Sequence, residues 1–368
     1  MAESLTRRAL NRALLARQGL LDPYELPVEQ VVERIGAIQA QYWPAVPVAL
    51  YARMRGFATA DLYRVLEDRR LLSGTLLRGT LHLVSARDHP VYAAAVEASA
   101  PRHLDPLRSA LFEHARTQPV DADGLVEFVE DWLARHPDGL PEADVSHQRT
   151  YRWRPLKRWS ALVRTPVDGH WGPRVPAALA AAPTSPEDWP DPGQALMGLV
   201  QRHLRAFGPA AAEDIGQWAG LKTGPVKEGL RSLEGELITF ADESGRTLYD
   251  LPDAARPDPG VPAPVRLLPW FDSVLLAYAP RHRSRILPDA YKDRVYVAAN
   301  LQWLPSFLVD GMVAGTWSLE AARKEATLTL VPFAKLSKAE RAELLAEAER
   351  LLGFMHPSAP AHRVLVAG

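Results

Sequence analysis

Gln39 and Gln41 stand one residue apart in the stretch Ile-Gln-Ala-Gln-Tyr-Trp-Pro, residues 38–44, where a helical pattern runs out. Glutamine does not ionise, so this pair cannot be an ordinary acid/base couple. Its amide oxygen accepts hydrogen bonds and its nitrogen donates them. Such a group can hold and orient a water molecule but cannot deprotonate it as a carboxylate would. Geometry adds a condition: residues i and i+2 of an α-helix point about 200° apart. Both amides can therefore serve one reaction centre only if the backbone leaves the helix near Gln39 or Gln41. Pro44 disfavours helix at Trp43, which puts the end close to the pair. On these residues alone, a polar helix end without a chemical role is the preferred reading.

Other catalytic signatures are missing. No His-Glu-x-x-His and no carboxylate cluster with metal-ligand spacing occurs, so neither a metal nor a cofactor is expected. There is no G-x-S-x-G elbow, no P-loop and no G-x-G-x-x-G after a strand. The chain has no cysteine, which excludes disulfides and thiolate chemistry and fits a reducing compartment. No apolar run reaches the ~18 residues a membrane helix needs, and the N-terminus reads as a folded helix, so a cytoplasmic protein is expected.

Charge is more informative in its distribution than in its sum, which is −1. Residues 121–144 hold eight acidic groups and one basic, whereas residues 145–175 hold seven basic groups and one acidic, Asp168. That suggests a polarised molecule whose cationic side meets phosphate. The basic stretch interleaves Arg149, Arg152, Arg154, Lys157 and Arg158 with Tyr151, Trp153 and Trp159. A second cationic turn, Arg281-His282-Arg283-Ser284-Arg285, follows an apolar run. These basic residues, Lys157 and His282 included, are read as DNA contacts and the rings as core. Arg78 and His82 alternate in the sense that puts them on one face of a strand. Arg78 joins the candidate DNA contacts, and His82 is read as a hydrogen-bonded structural histidine.

The elements that must position these residues repeat one plan, three helices and then a short hairpin. In the first unit Leu5–Leu20, Val28–Ala40 and Ala58–Leu72 have helical spacing, and Gly74–Ser85 favours strand. The middle unit is less regular, with residues 165–176 as a loop or wing. In the third, Gly208-Pro209 separates two helices, Gly220 is a C-terminal cap, and Glu243–Arg246 is a hairpin tip. Proline-rich breaks at 183–193 and 253–265 precede a strand-rich region in which Asp310-Gly311 makes a two-residue turn. There the segments 266–279, 294–299, 306–319 and 326–333 read as strands. A helix opened by Ser337 and Glu340 is expected to end the fold. The expected fold class is α+β: three tandem winged helix-turn-helix units at 1–100, 101–183 and 194–252, then a strand-rich region at 261–368. Winged-helix repeats point to duplex DNA as partner.

With these features in place, the chain resembles the bacterial AlkZ/YcaQ-type DNA glycosylases along essentially its whole length. The residues that carry the resemblance are the Gln39–Gln41 motif, Leu76-Leu-Arg-Gly-Thr-Leu-His-Leu-Val84, Phe207–Leu221 and Pro269–Arg285. The resemblance implies winged helices curved into a C, with the motif on the concave side and Gln39 and Gln41 catalytic. It implies removal of N7-alkylated guanine and unhooking of interstrand crosslinks. One branch of the family carries Asp at the second motif position; Gln41 places this chain with the other, azinomycin-resistance branch. A monomer without a protein partner is expected, because the chain already supplies several DNA-contacting units.

The implied chemistry is self-consistent. Alkylation at N7 makes guanine cationic, so the base leaves without a general acid. What remains is to place a water near the anomeric carbon, and positioning alone lowers a barrier by as much as ~7–11 kcal/mol. A base tethered to both strands cannot swing fully into a deep pocket as a flipped base does, so an open groove is expected. Two other readings stay open from the sequence: a winged-helix transcription regulator, and a drug-binding resistance protein without catalysis.

Overall fold

The computed structural model describes residues 3–98, 100–174 and 176–367. Residues 1 and 2 of the N-terminal segment, Ser99 after the first unit, Val175 in the 165–176 segment and Gly368 lie outside the described residues. The architecture is mixed α+β, and up to residue 250 the described chain passes three times from helices into a pair of short strands.

The first helix, Arg7–Arg17, begins at Thr6, whose hydroxyl accepts from the Ala9 N–H at 3.1 Å. The second, Val28–Ile35, buries Val28, Val31, Val32 and Ile35, the spacing of one helix face. It stops at Gly36, which takes the left-handed conformation (φ 91°). This corrects the expectation of a helix running to residue 40. Helix Ala45–Tyr51, not separated in the sequence, and helix Thr59–Glu67 follow, leading to the antiparallel strands Leu71–Thr75 and Leu81–Ser85.

The middle unit contributes helices Asp105–Thr117, Ala122–Arg135 and Glu142–Thr150, then strands Leu162–Arg164 and Leu179–Ala181. These strands are not an independent wing. Val163 pairs with Gly74, so one five-stranded sheet runs 38–39, 81–85, 71–75, 162–164, 179–181.

In the third unit, helices Pro192–Phe207, Ala212–Ala219 and Thr223–Ser232 precede the hairpin Ile238–Asp242 and Thr247–Asp250. Gly220 caps the second of these helices in the left-handed region, as expected. The N-terminal strand Ser4–Leu5 lies parallel to residues 241–242, and Arg17 pairs with Asp250, tying the start of the chain to this unit.

The C-terminal region is a five-stranded sheet ordered 362–366, 326–332, 312–321, 306–309, 266–268. Asp310 and Gly311 turn its central hairpin with positive φ at both positions. Helix Lys338–Met355 opens with the Ser337/Glu340 capping box and buries Leu344, Ala348, Leu351 and Leu352 against the sheet. Three expectations fail here. Of residues 294–299 only Tyr296–Val297 is strand, and the helix Lys292–Val295 runs into it. Within 266–279 only Arg266–Leu268 is strand; Asp272 accepts from the Val274 N–H and starts the helix Ser273–Leu276. The long helix does not end the fold, because His362–Val366 returns as a parallel strand. The largest core cluster brings together Leu14, Tyr92, Phe207, Trp218, Val274 and Tyr278 from three separated regions. No helix among the described residues is long and apolar enough to cross a membrane.

Candidate active site

The turn that aims the two glutamines is built by satisfying the end of helix Val28–Ile35. Its last carbonyls need outside partners, and three distant side chains supply them. Gln18 Nε2 donates to Ile35 O at 3.1 Å, the Tyr92 hydroxyl to Gly36 O at 2.9 Å, and the Ser273 hydroxyl to Ala37 O at 3.0 Å. The chain then extends, and Ile38 and Gln39 pair antiparallel with Leu83 and His82. The pairing continues one step further, with the Ala40 N–H on Leu81 O at 2.8 Å.

Extended backbone removes the 200° opposition that a helix would impose, because alternate residues share a face. Ile38 and Ala40 both point into one core cluster. Gln39 lies in the strand against Arg78 and His82, and Gln41 stands in the bend that follows it. Gln39 is nearly enclosed, at 9% exposure, while Gln41 is exposed. The Gln41 oxygen accepts from the Leu81 N–H at 3.4 Å, standing at the frayed end of the ladder. Tyr42 (42% exposed) continues the open face and meets Trp270 edge-on, with ring centroids 5.0 Å apart. A narrow crevice beside Gln39 is lined by Ala45, Ala49, Trp270 and Asp272.

Arg78 and His82 do share a face, and they sit against Gln39. Arg78 Nη2 donates to Gln39 Oε1 at 3.0 Å and lies 3.3 Å from His82 Nε2. His82 Nδ1 donates to Thr80 O at 2.9 Å, so Nε2 is the acceptor facing the guanidinium. Burial, then the Arg78 charge, push the His82 pKa down to about 3, leaving the ring neutral. Burial, then Arg283, lower Arg78 to about 10, and it remains a cation.

The cationic segments differ from expectation. In the turn, Arg285 is buried at 2% exposure, stacks on Tyr278 at 4.1 Å and donates to Pro209 O at 2.8 Å. It cannot reach a phosphate. Arg283 is also buried, over the Trp303 ring at 4.8 Å, and His282 is buried against Asp214 at 2.6 Å. Burial pushes Asp214 up, but His282 and the charge of Arg285 hold it at about 2. Only Arg281 of this group is exposed. The reason is local: the apolar run before the turn is core, and it draws the following residues in with it.

In the middle unit the two charge runs meet instead of forming separate faces. Arg149 pairs with Glu130 and Arg152 with Asp123. Lys157 is half-buried, and burial, then Arg152, lower its pKa. Arg154 and Arg158 are exposed, and neither forms an ion pair among the described residues. Trp153 and Trp159 are core, as expected, whereas Tyr151 is exposed. No cluster of three or more metal-ligating side chains occurs among the described residues. Sequence reasoning missed Trp218 and Gly220, which press against Arg78 from the third unit. No local signal could have paired positions so distant.

The chain matches the family described as DNA glycosylase AlkZ-like over residues 32–354. It is 25% identical over 330 residues to the interstrand DNA cross-link repair glycosylase of Streptomyces sahachiroi, a match covering 81% of this chain and 84% of that protein. Its fold is similar to the solved structure of Streptomyces sahachiroi DNA glycosylase AlkZ, with TM-score 0.77 and 19% identity over 99% of this chain and 100% of that one. With the match spanning most of its length, the chain belongs to the AlkZ-like DNA glycosylase family.

Proposed function

We propose that this enzyme hydrolyses the N-glycosidic bond of cationic N7-alkylguanine in duplex DNA and unhooks interstrand crosslinks, with Gln39 and Gln41 orienting the attacking water. The observation that carries this reading is the stop after helix Val28–Ile35, which puts Gln39 in an extended strand against Arg78 and His82 and leaves Gln41 exposed in the bend two residues on. The three helix-and-hairpin units act as winged helices curved around the duplex, and the protein works as a cytoplasmic monomer. The crevice beside Gln39 is far too small for a base and is on the scale of a single water, so a base still tethered to both strands would be met at the surface.

The chemistry divides between the amides by their surroundings. The Gln39 oxygen is occupied by Arg78, so its nitrogen is the free end and donates to the water oxygen. Gln41 is exposed, and its oxygen has a second lone pair beyond the long contact to Leu81 N, so it accepts from the water. The water's remaining lone pair bonds to the anomeric carbon as the C–N bond breaks, the base departs neutral with the bonding electrons, and the added water gives its surplus proton to bulk solvent. Neutral amides cannot generate hydroxide, so neutral damaged bases are poor substrates.

The test is single-turnover release of free base from a duplex carrying N7-methylguanine or a nitrogen-mustard crosslink. Release by the wild type should fall ~10²-fold or more in Gln41→Ala and Gln39→Ala. Sequence-selective retention of DNA without any released base would replace the glycosylase reading with a regulator.

A further inference from the structure

We propose that Arg78 is a positioning residue for this reaction, held by the third helical unit so that it fixes the Gln39 amide with its nitrogen toward the substrate. The inference rests on the reading of Gln39 and Gln41 as the catalytic pair. A guanidinium has five donors and no acceptor. The Gln39 atom 3.0 Å from Arg78 Nη2 is therefore the oxygen, and the amide cannot flip without setting N–H against N–H. His82 removes the competing arrangement by offering a neutral acceptor to the same guanidinium.

The other side of Arg78 is held from far along the chain. Its Nη1 donates to the carbonyl of Trp218, in the last turn of helix Ala212–Ala219, where the helix end carries partial negative charge. The Arg78 backbone takes the left-handed conformation, φ 55°. Gly220 lies directly on it: a Cβ there would stand 2.9 Å from Arg78 Cα and 3.0 Å from its N. Glycine at 220 lets the two backbones touch. A cation this close to the amide oxygen also polarises the amide and strengthens its N–H as a donor. Three contacts, to Gln39, His82 and Trp218, turn Arg78 toward the amide, and the salt slope of DNA binding reads whether it also meets phosphate.

A double-mutant cycle decides the matter. Release of N7-methylguanine from saturated duplex is followed for wild type, Arg78→Met, Gln39→Ala and the double variant. DNA Kd is measured for each by fluorescence anisotropy across a salt series. Arg78→Met should slow release by about 10²-fold, leave Kd and its salt slope unchanged, and add no loss to Gln39→Ala. Arg78→Lys should recover part of the rate, because an ammonium still donates to the amide oxygen. Losses that multiply, or a weakened Kd with a flatter salt slope and an unchanged rate, would overturn the proposal. If Arg78→Met does not fold, Gly220→Ala displaces the same guanidinium through its backbone; a slowed rate at unchanged Kd supports the proposal, and a wild-type rate overturns it. Wild-type enzyme that releases no base would instead defeat the underlying glycosylase reading.

Discussion

Residues 149–158 and residues 281–285 are both dense in arginine, yet they meet opposite surroundings. In the first, Arg149 and Arg152 lie on the surface and pair with Glu130 and Asp123 of a neighbouring helix. In the second, Arg283 and Arg285 are sunk onto Trp303 and Tyr278. The contrast teaches that a run of positive charge announces neither a DNA contact nor a solvated face. What decides is the element that carries it. The middle segment continues an exposed helix end, whereas the turn is pulled inward by Val274, Leu275, Ala277 and Tyr278, all in the largest core cluster.

The largest expected effect is the loss of Arg285. Its charge helps hold the buried Asp214 ionised, so Arg285→Ala leaves that carboxylate with its hydrogen bonds from His282 and the Ala211 and Ala279 N–H groups. A cost on the order of 3–5 kcal/mol is expected, as for other buried charges stripped of compensation. Urea denaturation measures it. A loss below about 1 kcal/mol would mean that the turn is no more structural than the surface segment.

Acid should separate the two regions next. His203, beside Arg285 and Asp214, is depressed to about 4 by burial, with a further lowering contribution from Arg285. His89 is likewise lowered to about 4 by burial, and His82 to about 3. Unfolded histidines titrate near 6.5, so below that pH the unfolded chain binds protons that the folded one refuses. Stability should therefore be fully present above about pH 6.5 and fall as the pH drops toward 4. Each unit of depression is worth about 1.4 kcal/mol. Asp214, held at about 2, contributes its own loss only at still lower pH. A stability flat between pH 6.5 and 4.5 would show that these rings protonate in place.

How much of this was legible in the sequence follows the range of each signal. Local devices read correctly: the Ser337/Glu340 capping box, the Gly220 cap and the Asp310-Gly311 turn each depend on residues a few positions apart. The end of the second helix was within reach and missed. Ile38 and Ala40 continue the apolar spacing of Val31 and Ile35, so periodicity runs on past Gly36, while the glycine alone marks the stop. That one correction is what takes both glutamines out of helical geometry. The rest was out of reach because it is long-range. Nothing near Arg78 indicates Trp218, and nothing in residues 162–181 indicates that their strands would join the first unit's sheet.

A gentler test bears on DNA binding. Arg154 and Arg158 are exposed without an acidic partner among the described residues, so they are the guanidiniums of the middle segment available to phosphate. Replacing each with Gln should weaken binding to damaged and undamaged duplex alike and reduce the salt slope by about 0.9 per phosphate contact. Arg281→Gln should act in the same way, and Arg283→Gln should not flatten the slope. Equal slopes for all four variants would erase the distinction between the segments.

The smallest effect is expected at Arg152, and it is diagnostic because it is small. Its pair with Asp123 spans two side chains that are 70% and 77% exposed. Exposed pairs are screened by water and salt and cost side-chain entropy to hold, so Arg152→Ala should change stability by ~0–1 kcal/mol. Its charge is already offset by the carboxylate, so the DNA salt slope should barely move. If Arg152→Ala flattens that slope as much as Arg154→Gln does, the duplex displaces Asp123 on binding, and the surface pairs of the middle unit are latches that DNA opens.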